Sequence, residues 1–161
     1  MKTVLLGLMR SRRGFRGGAL ALVATVIAVF AAAPPSSAAA DNYLDVCGFS
    51  QYSCQTGVKV AGPVGECLMT TAYYHSTIVC IDYDGDFVYV KDNQADGYSA
   101  LGQVWSQYGV AERYCRNTHG NGSWARCNFD WREDGTKKVR GGVRYNDHEW
   151  RTGPLWEFSG K

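Results

Sequence analysis

Three stretches between residues 80 and 127 decide the fold. They read I-D-Y-D-G-D-F-V-Y-V-K-D at 81–92, A-D-G-Y-S-A at 95–100 and C-R-N-T-H-G-N-G-S-W-A-R-C at 115–127. Runs rich in β-branched and aromatic residues are typical of strands, and Asp-Gly between two such runs is among the strongest hairpin signals. The stretches therefore predict an all-β fold made of short strands joined by tight turns.

The last of these stretches predicts a hairpin that its own two cysteines close. If the turn is centred on Asn121, Cys115 and Cys127 face each other. Directly opposed residues of a closely spaced antiparallel pair lie about 4.5–5.5 Å apart, and that spacing suits a disulfide. We therefore expect a bridge between Cys115 and Cys127.

All six cysteines follow residue 40, and an even number in an exported chain favours disulfides. No C-x-x-C pair is present to suggest that thiolates hold a metal. Since six cysteines allow about 15 pairings, the remainder stays open after the hairpin bridge. The simplest pairing joins Cys47 to Cys54 and Cys67 to Cys80.

The first 40 residues are typical of an export signal. Basic residues near the start precede an uncharged apolar run at 19–33, and alanines at 38–40 suit a signal peptidase. The run is shorter than the roughly 20 residues that a spanning helix needs. S-R-R-G-F at 11–15 resembles the twin-arginine motif, so both that route and the Sec route stay open. We expect a secreted domain at 41–161 that has no membrane attachment after cleavage.

Further strand-like runs lie on both sides of the central stretches. Residues 98–108 mix strand formers with helix formers, and we predict a strand there. No amphipathic helix is evident after residue 40. About eight to ten short strands then predict a disulfide-stabilised antiparallel β-sandwich. The other predicted strands lie at 43–46, 56–60, 66–74, 77–81, 87–90, 138–145 and 150–158.

The charge of the predicted mature domain argues against nucleic acid as a partner. Its 12 basic and 15 acidic residues lack the basic excess of nucleic-acid binders. The charges are uneven, with two basic and eight acidic residues at 41–97 but ten basic and seven acidic residues from 98 onward. Such polarity suits a polar protein partner.

Two motifs suggest chemistry without completing it. Asp82, Asp84 and Asp86 look like half of a calcium loop, yet the twelfth position holds Asn93 where a bidentate Glu is needed. We therefore interpret them as a hairpin turn with solvated carboxylates, and we predict neither a metal site nor a cofactor.

The second motif is R-Y-N-D-H-E-W-R at 144–151, whose residue types resemble the glutamate base, histidine acid and arginines of small microbial ribonucleases. In that family the catalytic histidine follows the glutamate at a distance, whereas no histidine follows His148 here. Glu149 is also adjacent to His148, and neighbours on a strand point to opposite faces. His75 and His119 fall in predicted turns. We therefore expect no enzymatic activity.

Arginines beside aromatic residues suggest a protein-binding surface, because this composition is typical of interface hot spots. If Trp124 lies on the face of its strand opposite the cysteine, it sits beside Arg126 and across from Arg116. A period of two at 138–145 places the basic residues on one face. The candidate binding residues are Arg116, Trp124, Arg126, Lys138, Arg140 and Arg144.

The A-D-G-Y-S-A and C-R-N-T-H-G-N-G-S-W-A-R-C-N-F-D-W stretches resemble a group of small exported proteins from actinomycetes. The resemblance covers roughly residues 80–145 and implies a secreted β-sandwich but no activity. By size, export signal and cysteine content, the chain also resembles the small adaptor subunits of the umbrella-shaped toxin particles of streptomycetes. That resemblance implies other secreted proteins as partners.

The resulting hypothesis is a secreted, non-enzymatic binding module, such as an adaptor in an extracellular multiprotein assembly. One alternative is a secreted protease inhibitor that presents the loop at 55–66. A third hypothesis is a small secreted ribonuclease.

Overall fold

The computed structural model describes residues 42–72 and 75–161, so the predicted signal peptide and its cleavage site lie outside the described residues. The described part holds a single-turn 3-10 helix at Asp45–Gly48 and ten strands. The strands are β1 (Tyr52–Thr56), β2 (Val58–Val60), β3 (Glu66–Ala72), β4 (His75–Asp82), β5 (Phe87–Asp92), β6 (Ser99–Ser106), β7 (Glu112–Asn117), β8 (Trp124–Asn128), β9 (Thr136–Arg144) and β10 (Trp150–Ser159).

The strands form two packed sheets of five, which confirms the predicted β-sandwich. Sheet A has the order β1-β7-β6-β9-β10, and sheet B has the order β2-β8-β5-β4-β3. The β1–β7 pair is parallel and departs from the expected antiparallel pattern. At Gly57 the chain leaves β1 in sheet A and continues without reversing direction as β2 in sheet B. β2 is antiparallel to β8, and β1, which runs in the same direction as β2, is parallel to β7. A Cβ atom on Gly57 would lie 2.9 Å from the Cβ of Ala125, so the crossing requires glycine.

Alternation along the strands fills the space between the sheets. Inward residues of β4, β5, β6 and β9 form a core that excludes water almost completely, and aromatic residues from the β8–β9 loop and β10 close one part of it. Burial of this apolar surface is the main stabilising term of the sandwich. The core residues include Val79, Ile81, Val88, Val90, Val104, Phe129, Trp131, Val139 and Phe158.

A second apolar cluster lies on the outer face of sheet A, under the N-terminal segment. Tyr43 and Leu44 are both buried and pack with Leu101 of β6 and Tyr114 of β7. The hydroxyl of Tyr43 donates to the backbone carbonyl of Tyr114 at 2.8 Å. The predicted strand at 43–46 is therefore wrong, because consecutive residues turn inward and the chain enters the 3-10 helix.

All three expected disulfides are present, joining Cys47 to Cys54, Cys67 to Cys80 and Cys115 to Cys127. The predicted hairpin around the last pair is nevertheless wrong. β7 pairs with β6 in sheet A, whereas β8 pairs with β5 in sheet B. The Cys115–Cys127 bridge, with Cα atoms 5.7 Å apart, therefore joins the two sheets rather than two strands of one sheet.

The predicted strands at 77–81, 87–90, 98–108, 138–145 and 150–158 are confirmed with small shifts, and the one at 66–74 is confirmed as β3 up to residue 72, its last two residues lying outside the described ones. The predicted strand at 56–60 starts too early, because the chain changes sheets at Gly57, and β1 was not predicted. Asp84 and Gly85 lie in the turn of the β4–β5 hairpin, where Asp82 pairs with Phe87. β6 is a strand, and β10 carries a register shift between Thr152 and Leu155. No helix in the described part of the chain is long and apolar enough to cross a membrane.

Candidate functional site

The six predicted binding residues do not form one surface. Trp124 and Arg126 lie on β8, whereas Arg116 lies on β7 and the other three cations lie on β9. The expectation that Arg116 faces Trp124 is wrong, because β7 and β8 belong to different sheets. The residues therefore divide between the outer faces of sheet A and sheet B.

Two of the cations on sheet A hold the N-terminal segment in place. The Arg116 guanidinium lies 5.3 Å from the ring centre of Tyr43 and donates to the Ser99 hydroxyl at 3.1 Å. Arg144 donates from Nε to the Tyr43 carbonyl at 2.7 Å and also contacts Asp147. These contacts give both arginines a structural role within the domain.

Arg140 belongs to a polar network in a groove of about 300 Å³ on the same face. Its Nε donates to the side-chain carbonyl of Gln103, and its guanidinium stacks 4.8 Å from the ring centre of Trp150. Gln103 donates to the Tyr114 hydroxyl at 2.9 Å, and that hydroxyl donates to Glu112. Burial, and then the hydrogen bond to Glu112, raise the pKa of Tyr114, so it remains a donor.

Lys138 completes the groove, with its Nζ 3.4 Å from a Glu157 carboxylate oxygen and 5.5 Å from the ring centre of Trp105. Cations outnumber carboxylates on the outer face of sheet A, but each of these cations already has intramolecular partners.

The outer face of sheet B differs in composition. Strand register places the outward residues of its five strands side by side, and most of them are apolar or aromatic. We call this surface the sheet B face. Its principal residues are Val58, Val60, Met69, Ile78, Phe87, Tyr89, Lys91, Trp124 and Arg126, together with the Cys67–Cys80 bridge.

Apolar side chains on the sheet B face are open to solvent, since Val58 is 58 % and Met69 is 59 % exposed. The two cations lie against aromatic rings. The Arg126 guanidinium is 4.6 Å from the ring centre of Phe87, and Lys91 Nζ is 5.9 Å from that of Trp124. Stacking of this kind holds a cation over an apolar surface without neutralising it.

The sheet B face carries few carboxylates. Among the outward positions of β2, β5 and β8 there is none, and the last residue of β4, Asp82, lies at one end. The face is therefore apolar, aromatic and cationic. Its cations lie on β5 and β8, the two adjacent strands that also supply Phe87 and Trp124.

Sequence reasoning found Trp124 and Arg126 but missed Val58, Phe87 and Lys91. The period of two in β5 already separates Phe87 and Lys91 from the inward valines. This local pattern does not reveal which sheet another segment covers. The N-terminal segment covers part of sheet A through tertiary contacts of Tyr43 and Leu44, and such contacts cannot be predicted from the pattern of a single strand.

Two charged residues of the ribonuclease-like motif have partners within the domain. His148 contacts Asp45 of the 3-10 helix and its side chain is 80 % exposed, whereas Arg144 is engaged by Tyr43 and Asp147. In the calcium-like motif, Asp86 turns inward and accepts a hydrogen bond from the Trp131 backbone at 3.0 Å. Within residues 42–72 and 75–161, no group of three or more potential ligands could hold a metal.

Half of the loop considered for protease inhibition is strand. β1 ends at Thr56 and β2 covers Val58–Val60, which leaves residues 61–65 as the connection. Val64 in this connection is 57 % exposed. The bridges at Cys54 and Cys67 run to other segments and do not close the loop on itself.

Comparison of the chain with models of known protein families, with curated proteins and with solved structures found no match. Three disulfides are consistent with an extracellular protein, because such bonds persist in oxidising compartments. A proposal for the function of the chain must therefore rest on the geometry of the two outer faces.

Proposed function

We propose that the chain is a secreted, non-enzymatic protein-binding module that docks through the sheet B face. The observation that carries this proposal is the exposure of Val58 on β2 and Met69 on β3 beside two ring-stacked cations on β5 and β8. Tryptophan, tyrosine and arginine dominate binding energy at protein interfaces. The finer role is that of an adaptor in an extracellular assembly, such as an antibacterial toxin particle.

Charge complementarity defines the partner. Arg126 and Lys91 stay cationic on an apolar surface that offers few carboxylates of its own. A partner surface that combines apolar side chains with Asp or Glu would satisfy both cations while burying Val58 and Met69. We therefore expect an extracellular protein with an acidic, apolar docking surface. Such electrostatic complementarity gives specificity and a fast association rate.

The test is affinity capture of companions by the tagged mature domain, residues 41–161, from the culture fluid of its native host. Wild type is compared with Arg126→Glu on the sheet B face and with Lys138→Glu on sheet A as the charge-matched control. Companions are identified by mass spectrometry, and reductant is omitted to preserve the disulfides.

We expect one or more secreted proteins, in stoichiometric amounts, on wild type and on Lys138→Glu but not on Arg126→Glu. Reversal of one cation that pairs across an interface costs more than tenfold in affinity, since about 1.4 kcal/mol corresponds to a factor of ten. Retention on both variants would contradict docking through the sheet B face. A lone monomer from wild type would contradict the adaptor role.

A further inference from the structure

One end of the sandwich holds a cavity of about 420 Å³ that protein docking through the sheet B face does not use. Two loops form it, β5–β6 at residues 93–98 and β7–β8 at residues 118–123. They carry the A-D-G-Y and T-H-G-N-G stretches singled out in the sequence. The volume falls within the roughly 300–1,000 Å³ of small-ligand sites.

Backbone hydrogen bonds tie the two loops together. Gly122 donates to the Asp92 carbonyl at 2.7 Å, and Asp92 donates to the Ser123 carbonyl at 3.3 Å. At the base of the β7–β8 loop, the fully buried Asn117 donates to the carbonyls of Val90 and Ser123, both at 2.9 Å. The walls of the cavity are therefore fixed by the fold before any ligand arrives.

Tyr98 lines the cavity, and neighbouring groups hold its ring in place. Its backbone N–H donates to Asp96 at 2.8 Å, and Asp96 in turn is 2.6 Å from Nδ1 of His75. The Tyr98 ring lies edge-on to the His75 ring at 5.3 Å and 5.1 Å from the Tyr145 ring. A ring positioned in this way can support the C–H face of a flat ligand.

Asp92 is the polar group that points to a ligand. It lines the cavity, yet the residue is only 7 % exposed. One carboxylate oxygen accepts from the Gln94 backbone at 3.2 Å, and the other has no hydrogen-bond partner among the described residues. A mostly buried carboxylate that lines a cavity can accept hydrogen bonds from the donors of a ligand.

The other lining groups narrow the ligand class. Gln94, Ser99, Thr118 and Asn121 are neutral, can both donate and accept, and are joined by no cation. A phosphate or carboxylate ligand would meet Asp92 without a compensating positive charge. Calcium requires roughly six to eight oxygen ligands, usually with several carboxylates among them. The lining of the cavity contains one carboxylate, which argues against calcium as the ligand.

We propose that this cavity binds a neutral saccharide. One sugar ring packs on Tyr98, and its hydroxyls donate to Asp92 and exchange hydrogen bonds with the amides of Gln94 and Asn121. Hydroxyls of a pyranose are donors and acceptors at once, which matches a neutral polar lining with one carboxylate acceptor. The C–H face of the ring suits the aromatic wall.

The test is titration of the ¹⁵N-labelled mature domain with a panel of soluble sugars, followed by NMR. The panel holds glucose, galactose, mannose, N-acetylglucosamine and their β-linked and α-linked disaccharides, with glucuronate and choline as anionic and cationic comparators. We expect at least one neutral sugar to shift the amides of residues 92–99 and 117–122.

Variants then assign the binding to the cavity. Asp92→Asn and Asn121→Ala are compared with Asp134→Asn, a carboxylate-to-amide change in the exposed Arg132–Asp134 pair outside the cavity. We expect Asp92→Asn to weaken binding about tenfold, because a neutral amide oxygen is a weaker hydrogen-bond acceptor than a carboxylate. Asn121→Ala, at an exposed position, also weakens binding, and Asp134→Asn leaves it unchanged.

Three results would overturn the proposal: no shift from any sugar in the panel, shifts confined to other residues, or binding of choline or glucuronate alone. Failure here leaves protein docking through the sheet B face unaffected, because the two sites share no residue.

Discussion

At the scale of single residues, Asp86 shows how this fold accommodates a charged group in its interior. Its φ of 57° places it in the left-handed region, at the end of the β4–β5 turn. One carboxylate oxygen accepts from the Trp131 backbone at 3.0 Å, and the other is buried with no partner among the described residues. Burial raises the pKa of Asp86 above its ordinary value.

This geometry predicts how Asp86→Asn changes stability with pH. A carboxyl whose pKa is higher in the folded chain holds its proton more firmly there, so ionisation lowers stability as the pH rises above about 3.8. Asparagine cannot ionise and tolerates a positive φ. The variant should therefore gain free energy of unfolding relative to wild type between pH 4 and pH 7, as measured by urea titration.

Asp134→Asn is the control with the opposite sign. The hydrogen bond from Arg132 lowers the pKa of Asp134, so ionisation of Asp134 favours the folded chain. As the pH rises, the Asp134→Asn variant should therefore lose a little free energy of unfolding relative to wild type. The effect is small because the pair is exposed to solvent. Parallel pH profiles for wild type and Asp86→Asn would contradict the account of Asp86.

Lys137 illustrates what residue-level pattern can and cannot predict. The period of two in β9 places Lys138 and Arg140 outward, as found, and by the same rule it places Lys137 inward. The buried lysine reaches the end of the chain, where Nζ donates to the Lys161 carbonyl at 2.7 Å and lies 5.9 Å from the Phe158 ring centre. That partner is 24 residues away in sequence, so local pattern could not reveal it.

At the scale of elements, the Cys115–Cys127 bridge should contribute more than its loop length suggests. It spans 12 residues, close to the 13 of Cys67–Cys80, so the chain-entropy model assigns both about 3 kcal/mol. Cys115 and Cys127 are buried between the sheets, however, whereas Cys67 lies on an exposed edge strand. Removal of the first pair therefore also leaves a cavity in the core.

We predict that Cys115→Ala with Cys127→Ala lowers the free energy of unfolding by more than Cys67→Ala with Cys80→Ala. The difference should be about 1 kcal/mol, the cost of one additional deleted buried sulfur atom, because Cys80 is buried as well. Equilibrium unfolding in urea measures both values under the same conditions. Equal losses would mean that the position between the sheets adds nothing to the effect of loop closure.

The Cys115–Cys127 bridge was predicted correctly from a hairpin that does not exist. Cysteines equally distant from a turn face each other both in a hairpin and in two strands that lie in facing sheets. The alternation of buried and exposed residues is also the same in the two arrangements. The choice depends on the partners of each strand, β6 for β7 and β5 for β8, and these lie outside the local sequence.

At the scale of the whole molecule, strand count and cysteine number were enough to predict a disulfide-stabilised sandwich. They were not enough to predict which outer face stays open. The N-terminal segment engages Arg116 and Arg144 through Tyr43, and it removes them from the candidate surface. The sheet B face keeps its exposed apolar residues and its two stacked cations, which is why the proposed docking site lies there.

The most direct test of docking through the sheet B face is hydroxyl-radical footprinting of the mature domain, alone and with its co-purified partner. Met69 and Trp124 report on the sheet B face, whereas Trp105 and the 46 % exposed Tyr108 report on positions outside it. We predict that the partner slows oxidation of Met69 and Trp124 several-fold and leaves the oxidation of Trp105 and Tyr108 unchanged. Protection confined to Trp105 and Tyr108 would contradict it and move the docking site to sheet A.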